Sequence, residues 1–315
     1  MSLKLSSPFR GLEAIVEEGA SLRRHTWYRI GGPAQYLVRP RSIEELREAV
    51  LRCGENGLPM RVLGLGANLL VRDEGVDGAV LKLDDGVFGE FTIDGELVKC
   101  GAGVDLGKLI VQTIRAGLAG IEVLAGIPAT IGGAVRMNAG GKFGDIGAVV
   151  EAVTVMDSTG VVTTLAKHEV LFGYRHTDIA APIIVGADLR LEKDEPDEIT
   201  RRYKEVWMYK QNTQPLNAKS CGCIFKNPGD GRSAGALIDQ AGLKGFSYGR
   251  AEVSTKHANF VIAHPDCPSD DVLALVKHVQ QRVQEKHGVL LLPEVQVWPA
   301  LTVEQPAPDA IRPEI

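Results

Sequence analysis

Apolar residues recur three and four positions apart in two long stretches of the chain, 106–113 and 272–283. This spacing forms one face of an α-helix. Ser42, followed three residues later by Glu45, has the spacing of a capping box at the start of a third amphipathic stretch. These patterns predict helices from Ser42 to about Arg52, from the N-cap Asp105 to the residue before Gly117, near 197–208, near 234–241, and from the cap Ser269 to Gly288.

Short runs of β-branched and apolar residues between these helices predict strands. They lie at 34–38, 60–63, 69–71, 79–83, 96–100, 151–157, 161–165, 182–191 and 259–263. Strand, helix and strand alternate within about 20–80, which favours a small α/β unit. Strands predominate from 79 to 191, which favours a second unit of α+β type, and a third mixed region follows. The predicted fold class is α+β.

Glycine is concentrated in one apolar stretch, Gly117–Gly147, where nine of 31 residues are glycine. Such a density indicates backbone at positive φ or in close contact with a ligand, and bare N–H groups suit a phosphate. Tight turns in a compact core are the alternative. Neither Gly64-x-Gly66 nor Gly101-x-Gly103 continues to the third glycine of a dinucleotide fingerprint, and no P-loop GK[ST] occurs. A phosphate held here would need another kind of turn.

Composition narrows the class of protein. The 315 residues are 44% hydrophobic and carry a net charge of −5, with no run of lysine or arginine, which disfavours nucleic acid and acidic membranes as partners. The chain has neither a signal-peptide pattern nor an apolar run of about 18 residues, so we expect a cytoplasmic protein. Its five cysteines form no CxxC pair, which argues against a disulfide framework or a metal site; Cys221-Gly222-Cys223 is weak support for a redox pair.

Eight ordered motifs make the chain resemble the UDP-N-acetylenolpyruvoylglucosamine reductase family, flavoenzymes of peptidoglycan precursor synthesis. The motifs, spread over about 26–297, are HTWYRIGG, LGLGANLLVRDEG, GLAGIEVLAGIPATIGGAVRMNAG, FGYRHT, SCGCIFKNP, SAGALIDQAGLKG, KHANFVIAH and LLPEVQVW. The resemblance implies a vanillyl-alcohol-oxidase (PCMH)-type FAD-binding fold of two subdomains with an α+β substrate domain. We expect FAD-binding subdomains at 1–80 and 81–195, a substrate-binding domain at 196–288, a return of 289–298 to the first subdomain, and a Pro-rich tail at 299–315.

The resemblance also assigns FAD contacts. Ala67 and Ala129 differ from the serine and glycine usual in the family. All seven histidines lie outside 26–167, so we expect the FAD to be non-covalent. The cofactor-binding residues implied are Gly64, Leu65, Gly66, Ala67, Asn68, Leu69, Gly126, Ile127, Pro128, Ala129, Thr130, Gly132, Gly133, Asn138, Ala139 and Gly140.

The family reaction implies three catalytic residues. NADPH reduces the flavin, hydride then reaches the vinyl carbon of an enolpyruvyl ether, and the charge that develops must be stabilised before a proton arrives. Arg175 matches the family arginine and Glu294 the family glutamate. Cys223 stands where the family usually has a serine proton donor, and a thiol is a stronger acid than a hydroxyl. The alternatives are a surface salt bridge for Arg175, an edge-strand charge for Glu294 and a small buried side chain for Cys223.

The substrate candidates are Tyr174, Gln214, Lys226, Asn227 and His257. Arg175 and Ile199 are only 24 positions apart, so the chain resembles the shorter form of the family, which lacks a tyrosine-bearing loop. We expect the enolpyruvyl nucleotide and NADPH as partners, with no metal. Two alternatives stay open: a sugar oxidase of the same fold, whose reduced flavin would react with oxygen, and a flavin- or nucleotide-sensing protein without catalysis, which would not turn over NADPH.

Overall fold

The computed structural model describes residues 7–229 and 231–299. The elements of the first unit are β1 (Val16–Ser21), β2 (Pro33–Val38), α1 (Ile43–Glu55), β3 (Met60–Val62), β4 (Leu69–Val71) and β5 (Val76–Leu81). Four of the strands form one sheet, with strand order β1-β2-β5-β3, and β4 lies outside it.

The predicted helix α1 is confirmed, and a hydrogen bond within its first turn fixes where it begins. Ser42 accepts a hydrogen bond from the backbone N–H of Glu45 at 3.2 Å, which satisfies one donor of the first turn. The helix connects β2 to strands that run parallel to it, because β5 pairs in parallel with both β2 and β3. The sequence grouped the strand at 79–83 with the second unit. That grouping is wrong, because the strand pairs inside the first sheet.

The elements of the second unit are β6 (Phe91–Asp94), β7 (Leu97–Gly101), α2 (Leu106–Arg115), β8 (Leu118–Ala119), α3 (Ile131–Arg136), β9 (Gly140–Gly141), β10 (Gly144–Asp145), β11 (Val150–Met156), β12 (Val162–Ala166), β13 (Phe172–Gly173), β14 (His176–Thr177), β15 (Ile183–Arg190) and β16 (Glu192–Lys193). Five of the strands form an antiparallel sheet of order β12-β11-β15-β7-β6. The hairpin predicted around Ser158-Thr159-Gly160 is confirmed by the antiparallel pairing of β11 with β12.

One hydrophobic core joins these two units. The apolar face of α2 is buried as predicted, and the Asp105 carboxylate accepts from the Lys108 N–H at 2.8 Å to cap the helix. Leu46 of α1 and Leu109 of α2 belong to the same buried cluster. The glycine-rich stretch therefore lies within a unit fixed against its neighbour by continuous packing.

The remaining elements are α4 (Pro196–Thr213), α5 (Ala234–Gln240), β17 (Ser247–Tyr248), β18 (Ala251–Val253), β19 (Val261–Ala263), α6 (Ser269–His287) and β20 (Gln296–Trp298). The three strands β17, β18 and β19 form a small sheet against which α6 packs. Strand β20 pairs in parallel with β4, so the chain returns to the first unit.

Two details of this third region differ from the sequence predictions. Helix α4 was grouped with the substrate region, yet Arg202 on it bonds Glu122 of the second unit at 2.8 Å, and Tyr203 packs on the core of that unit. Ser269 was predicted to cap α6, but Pro268 occupies the cap. Ser269 is instead a buried residue of the first turn whose hydroxyl donates to Asp73 at 3.1 Å.

Among the described residues, no helix is both long and apolar enough to span a membrane. The predicted tail at 299–315 lies, apart from Pro299, outside the described residues. The domain limits predicted at 80, 195 and 288 remain predictions.

Candidate active site

Arg175, Cys223 and Glu294, taken from distant parts of the chain, lie together. Arg175 Nε donates to Glu294 Oε1 at 2.6 Å across 119 residues of sequence. Both side chains are largely withdrawn from solvent, with 20% and 12% of their surface exposed. Cys223 is half-buried, and its thiol is close enough for the charges of Glu294 and Arg175 to act on it. The three residues form one group, which we call the catalytic cluster because the family resemblance predicts a catalytic role for each; that role remains a prediction.

Two neighbouring segments hold the Cys223 end of the cluster. Cys223 forms an antiparallel bridge with Phe260, and Phe225 forms one with Pro293. The Asn259 side chain accepts from Phe225 N at 3.0 Å and donates to Phe225 O at 2.8 Å. On the other side, Glu294 N donates to the carbonyl of Ile224 at 2.7 Å. The backbone positions of Cys223 and Glu294 are thus fixed relative to each other.

Arg175 lies in a tight turn. Tyr174 and Arg175 connect β13 to β14, and Arg175 has a φ of +56°, a left-handed conformation that residues other than glycine rarely adopt. The Asn138 amide donates to the Gly173 carbonyl at 3.0 Å, and its oxygen accepts from Gly147 N at 3.0 Å. Asn138, predicted to touch the cofactor, therefore ties the glycine-rich stretch to the turn that carries Arg175.

Burial controls the protonation of the cluster. Desolvation and the nearby Glu294 carboxylate raise the pKa of Cys223 to about 12, against the smaller opposing effects of Arg175 and Asn259. Burial also raises the pKa of Glu294, although Arg175 and Lys226 act in the opposite direction. The thiol is consequently protonated throughout the neutral range, as a proton donor must be.

The three segments predicted to bind FAD adjoin one another. The first, 64–69, leads into β4; the second, 126–133, leads into α3; the third, 138–140, leads into β9. A methyl group added to Gly64 would lie 2.7 Å from Thr130 Oγ1, so the first two segments touch. Gly66 has a φ of +64°, and a methyl there would collide with the His25 carbonyl at 2.2 Å. Contacts within the protein therefore require glycine at both positions, because a side chain at either one would meet Thr130 or His25. The assignment of these three segments to FAD remains a prediction.

A cavity of about 360 Å³ opens beside the cluster. The Tyr174 hydroxyl accepts from Asn227 N at 3.3 Å, which joins two of the predicted substrate residues. Lys226 lies close enough to Glu294 for its charge to lower the pKa of that carboxyl. The cavity is lined by Asn138, Gly141, Lys142, Asp145, Tyr174, Arg175 and Asn227.

The two other substrate candidates have structural contacts. Gln214 is the C-cap residue of α4, and its N–H donates to the Lys210 carbonyl at 2.8 Å. His257 packs edge-on against Phe260 with ring centroids 4.9 Å apart, and its Nδ1 accepts from Asn259 N at 3.3 Å. Burial lowers the pKa of His257. Their assignment to the substrate remains a prediction.

Sequence reasoning missed three residues of this region. Asn259 lies two positions after His257 in the KHANF motif, from which only the histidine is predicted to contact the substrate. Lys142 lines the cavity, and its ammonium lies 5.2 Å from the Tyr209 ring centroid and 5.8 Å from that of Phe143. Lys210, on α4, is buried, and its stem packs on Gly126. The motif could have indicated Asn259, whereas both lysines depend on tertiary packing.

Comparison with known proteins gives matches over most of the chain. The model of the UDP-N-acetylenolpyruvoylglucosamine reductase C-terminal domain matches residues 214–298, and that of an FAD binding domain matches 34–166. The reductase of Clostridium botulinum (strain Eklund 17B / Type B) is 38% identical over 90% of this chain and 92% of its own length. That of Moorella thermoacetica is 40% identical over 91% and 95%.

A crystal structure of the reductase from Thermus caldophilus is similar to the fold described here. It superposes with a TM-score of 0.79 at 42% identity, over 90% of this chain and 99% of that one. The expected α+β fold of the vanillyl-alcohol-oxidase type is confirmed by this match together with the FAD binding domain. With this coverage and identity, the chain belongs to the UDP-N-acetylenolpyruvoylglucosamine reductase family of FAD-dependent oxidoreductases.

Proposed function

We propose that this chain reduces the enolpyruvyl ether of UDP-N-acetylglucosamine enolpyruvate to a lactyl ether, yielding UDP-N-acetylmuramate, with NADPH as the source of hydride. The observation that carries the proposal is the catalytic cluster: a guanidinium, a carboxylate and a protonated thiol in one group beside an open cavity. An enzyme that only oxidises a sugar has no need of this set. We also propose that the reaction takes place in the cytoplasm, as a step of peptidoglycan precursor synthesis.

Bound FAD supplies a carrier that accepts hydride from the nicotinamide and delivers it to the vinyl carbon distal to the ether oxygen. Arg175 then has a defined task. Its Nε is engaged by Glu294 at 2.6 Å, which leaves the two terminal nitrogens of the planar guanidinium for the enolpyruvyl carboxylate. Charge that develops next to this carboxylate is stabilised in place, because the cation is held before the reaction begins.

Cys223 supplies the proton in this scheme. Its thiol is protonated at neutral pH because burial and Glu294 raise its pKa to about 12. The carbanion next to the substrate carboxylate is a much stronger base than the thiolate left behind, so transfer is downhill. Glu294 contributes to the stabilisation of the enolate by holding Arg175 at 2.6 Å, which keeps the guanidinium in place for the charge that develops.

We expect the diphosphate of the nucleotide to bind on the side of the cavity where Lys142 and Asn227 lie. Lys142 supplies positive charge there, and Lys226 adds a second cation next to Asn227 in the sequence. A lysine is a common point-charge partner for phosphate oxygens. Lys142 also lies over the Phe143 and Tyr209 rings, whose centroids are 5.4 Å apart.

Flavin absorbance tests the proposal directly. The purified protein should be yellow, should bleach anaerobically when NADPH is added, and should recover its absorbance on addition of the enolpyruvyl nucleotide. Recovery with oxygen alone at the same rate, and none specific to the nucleotide, would favour an oxidase. Failure of NADPH to bleach a flavin that dithionite reduces would favour a protein without this catalysis.

A further inference from the structure

Lys210 is an unpaired cation inside the protein. The residue is 7% exposed, and its Nζ has no hydrogen-bond partner within 7–229 and 231–299. Burying an ammonium without a partner is expensive, so a native structure retains such a group when a ligand, an ion or ordered water completes it. The catalytic cluster and the cavity lining, as described above, make no use of Lys210.

The stem of Lys210 lies on the cofactor segment. A methyl group placed on Gly126 would lie 3.2 Å from Lys210 Cδ and 3.3 Å from the Trp207 ring. Gly126, with a φ of +73°, is the first residue of the second segment that is predicted to bind FAD. The side chains of Lys210 and Trp207 therefore place α4 against the backbone of that segment.

The electrostatic surroundings of Lys210 also lack a counter-charge. Burial and, to a smaller extent, the charge of Arg175 lower the pKa of Lys210 to about 8. The Glu294 carboxylate is already paired with Arg175 at 2.6 Å, and Lys210 Nζ has no hydrogen-bond partner among the described residues. A bound ligand that carries negative charge would supply the missing partner.

Helix α4 keeps Lys210 in this position. Arg202, two turns earlier, bonds Glu122 at 2.8 Å and Asp194 at 2.7 Å. Glu122 is 3% exposed and also accepts from Gly120 N at 2.6 Å. Because the helix is fixed at this buried pair, Lys210 cannot reach solvent by a small shift of the backbone.

We propose that the Lys210 ammonium contacts the flavin ring of FAD and stabilises the negative charge that the ring gains on reduction. The inference deepens the proposed function, because it assigns a further residue to the same site. Hydride transfer gives a flavin two electrons and one proton, which leaves one negative charge on the ring. Lys210 neutralises this charge and keeps its own proton.

The midpoint potential of the bound FAD tests the proposal. The holoenzyme and its Lys210→Met, Lys210→Arg and Lys204→Met variants are reduced chemically at pH 7 against a dye of known potential. Lys204 is exposed on the same helix and provides the matched loss of charge. Removal of a charge-assisted contact should shift the two-electron equilibrium about 10- to 100-fold toward oxidised flavin, which is about 30 to 60 mV. Lys210→Arg and Lys204→Met should stay near the unmodified protein.

Each other outcome is informative. If Lys210→Met and Lys204→Met have the same potential, the proposal is wrong. If the potential is unchanged but the enolpyruvyl nucleotide binds more weakly to the oxidised enzyme, Lys210 serves the substrate instead. Lys210→Gln replaces Lys210→Met if that variant loses its FAD or its fold. Chemical reduction does not depend on NADPH or the nucleotide, so this test can fail while the proposed function holds.

Discussion

Replacing Lys210 by methionine should stabilise the protein freed of its cofactor. Burial and Arg175 lower the pKa of this lysine from 10.5 to about 8. Each pKa unit corresponds to about 1.4 kcal/mol, so the charged form destabilises the fold by about 3 kcal/mol at pH 7. Methionine has a similar length and no charge, and it fills the same space against Gly126 and Trp207.

The pH dependence separates this effect from simple repacking. Between pH 8 and 10.5 the unfolded chain binds more protons at Lys210 than the folded one, so the stability of the unmodified protein rises with pH. Below about pH 8 the lysine is charged in both states and the full penalty is present. The gap of about 3 kcal/mol between Lys210→Met and the unmodified protein should therefore close as the pH approaches 10.5.

Urea unfolding of the two apoproteins at pH 7, 8, 9 and 10 measures this gap, since groups common to both proteins cancel in the difference. Lys204→Met, an exposed change on the same helix, should differ from the unmodified protein by less than about 0.5 kcal/mol. A Lys210→Met apoprotein that is less stable at pH 7, or a gap that stays constant with pH, would refute the reasoning. With FAD bound the gap should shrink, because the lysine then has a partner.

Three further changes probe the site. Arg175→Lys should lower kcat/KM for the enolpyruvyl nucleotide about 10- to 100-fold, because an ammonium cannot bind Glu294 and the substrate carboxylate in one plane as a guanidinium does. Steady-state kinetics measure kcat/KM, and an unchanged value would mean that Arg175 has no part in the mechanism. Gly126→Ala should lower the free energy of unfolding by at least about 1–2 kcal/mol because of the positive φ at this position, and further because the added methyl meets Trp207 and Lys210. Gly242 has a φ of +77° and open space around it, so thermal unfolding of Gly126→Ala beside Gly242→Ala isolates the effect of the contact, and equal losses of stability would argue against that contact. Cys223→Ser should retain most of the activity, and its activity should depend on pH between 7 and 10 in the same way as that of the unmodified enzyme, because the pKa of the Cys223 thiol is about 12. A loss of activity at alkaline pH that occurs only in the unmodified enzyme would contradict the raised pKa.

Local elements could be predicted from sequence because their signals are local. The Ser42 and Asp105 caps and the apolar face of α2 were expected, and each is present. The partners of an element are a different matter. The strand at 79–83 was grouped with later strands, and α4 with the third region, because the chain gives no local sign that β5 inserts beside β2 or that Arg202 meets Glu122.

The same difference holds for the residues of the site. Arg175, Cys223 and Glu294 were identified through the family resemblance. No spacing along the chain indicates that Arg175 and Glu294, which are 119 positions apart, form a 2.6 Å contact. No sequence pattern distinguishes Lys210 from the other residues of α4, which are mostly polar. Its interest comes from burial and from the missing partner of Nζ among the described residues, and both are products of the fold.

Stopped-flow absorbance of Cys223→Ala tests most directly the claim that the catalytic cluster acts on the enolpyruvyl substrate. Bleaching of the flavin by NADPH should proceed at the unmodified rate, because Cys223 has no part in that half-reaction. Recovery of absorbance on addition of the enolpyruvyl nucleotide should slow by about 100-fold or more, the contribution typical of a positioned general acid. Recovery at the unmodified rate would contradict the account.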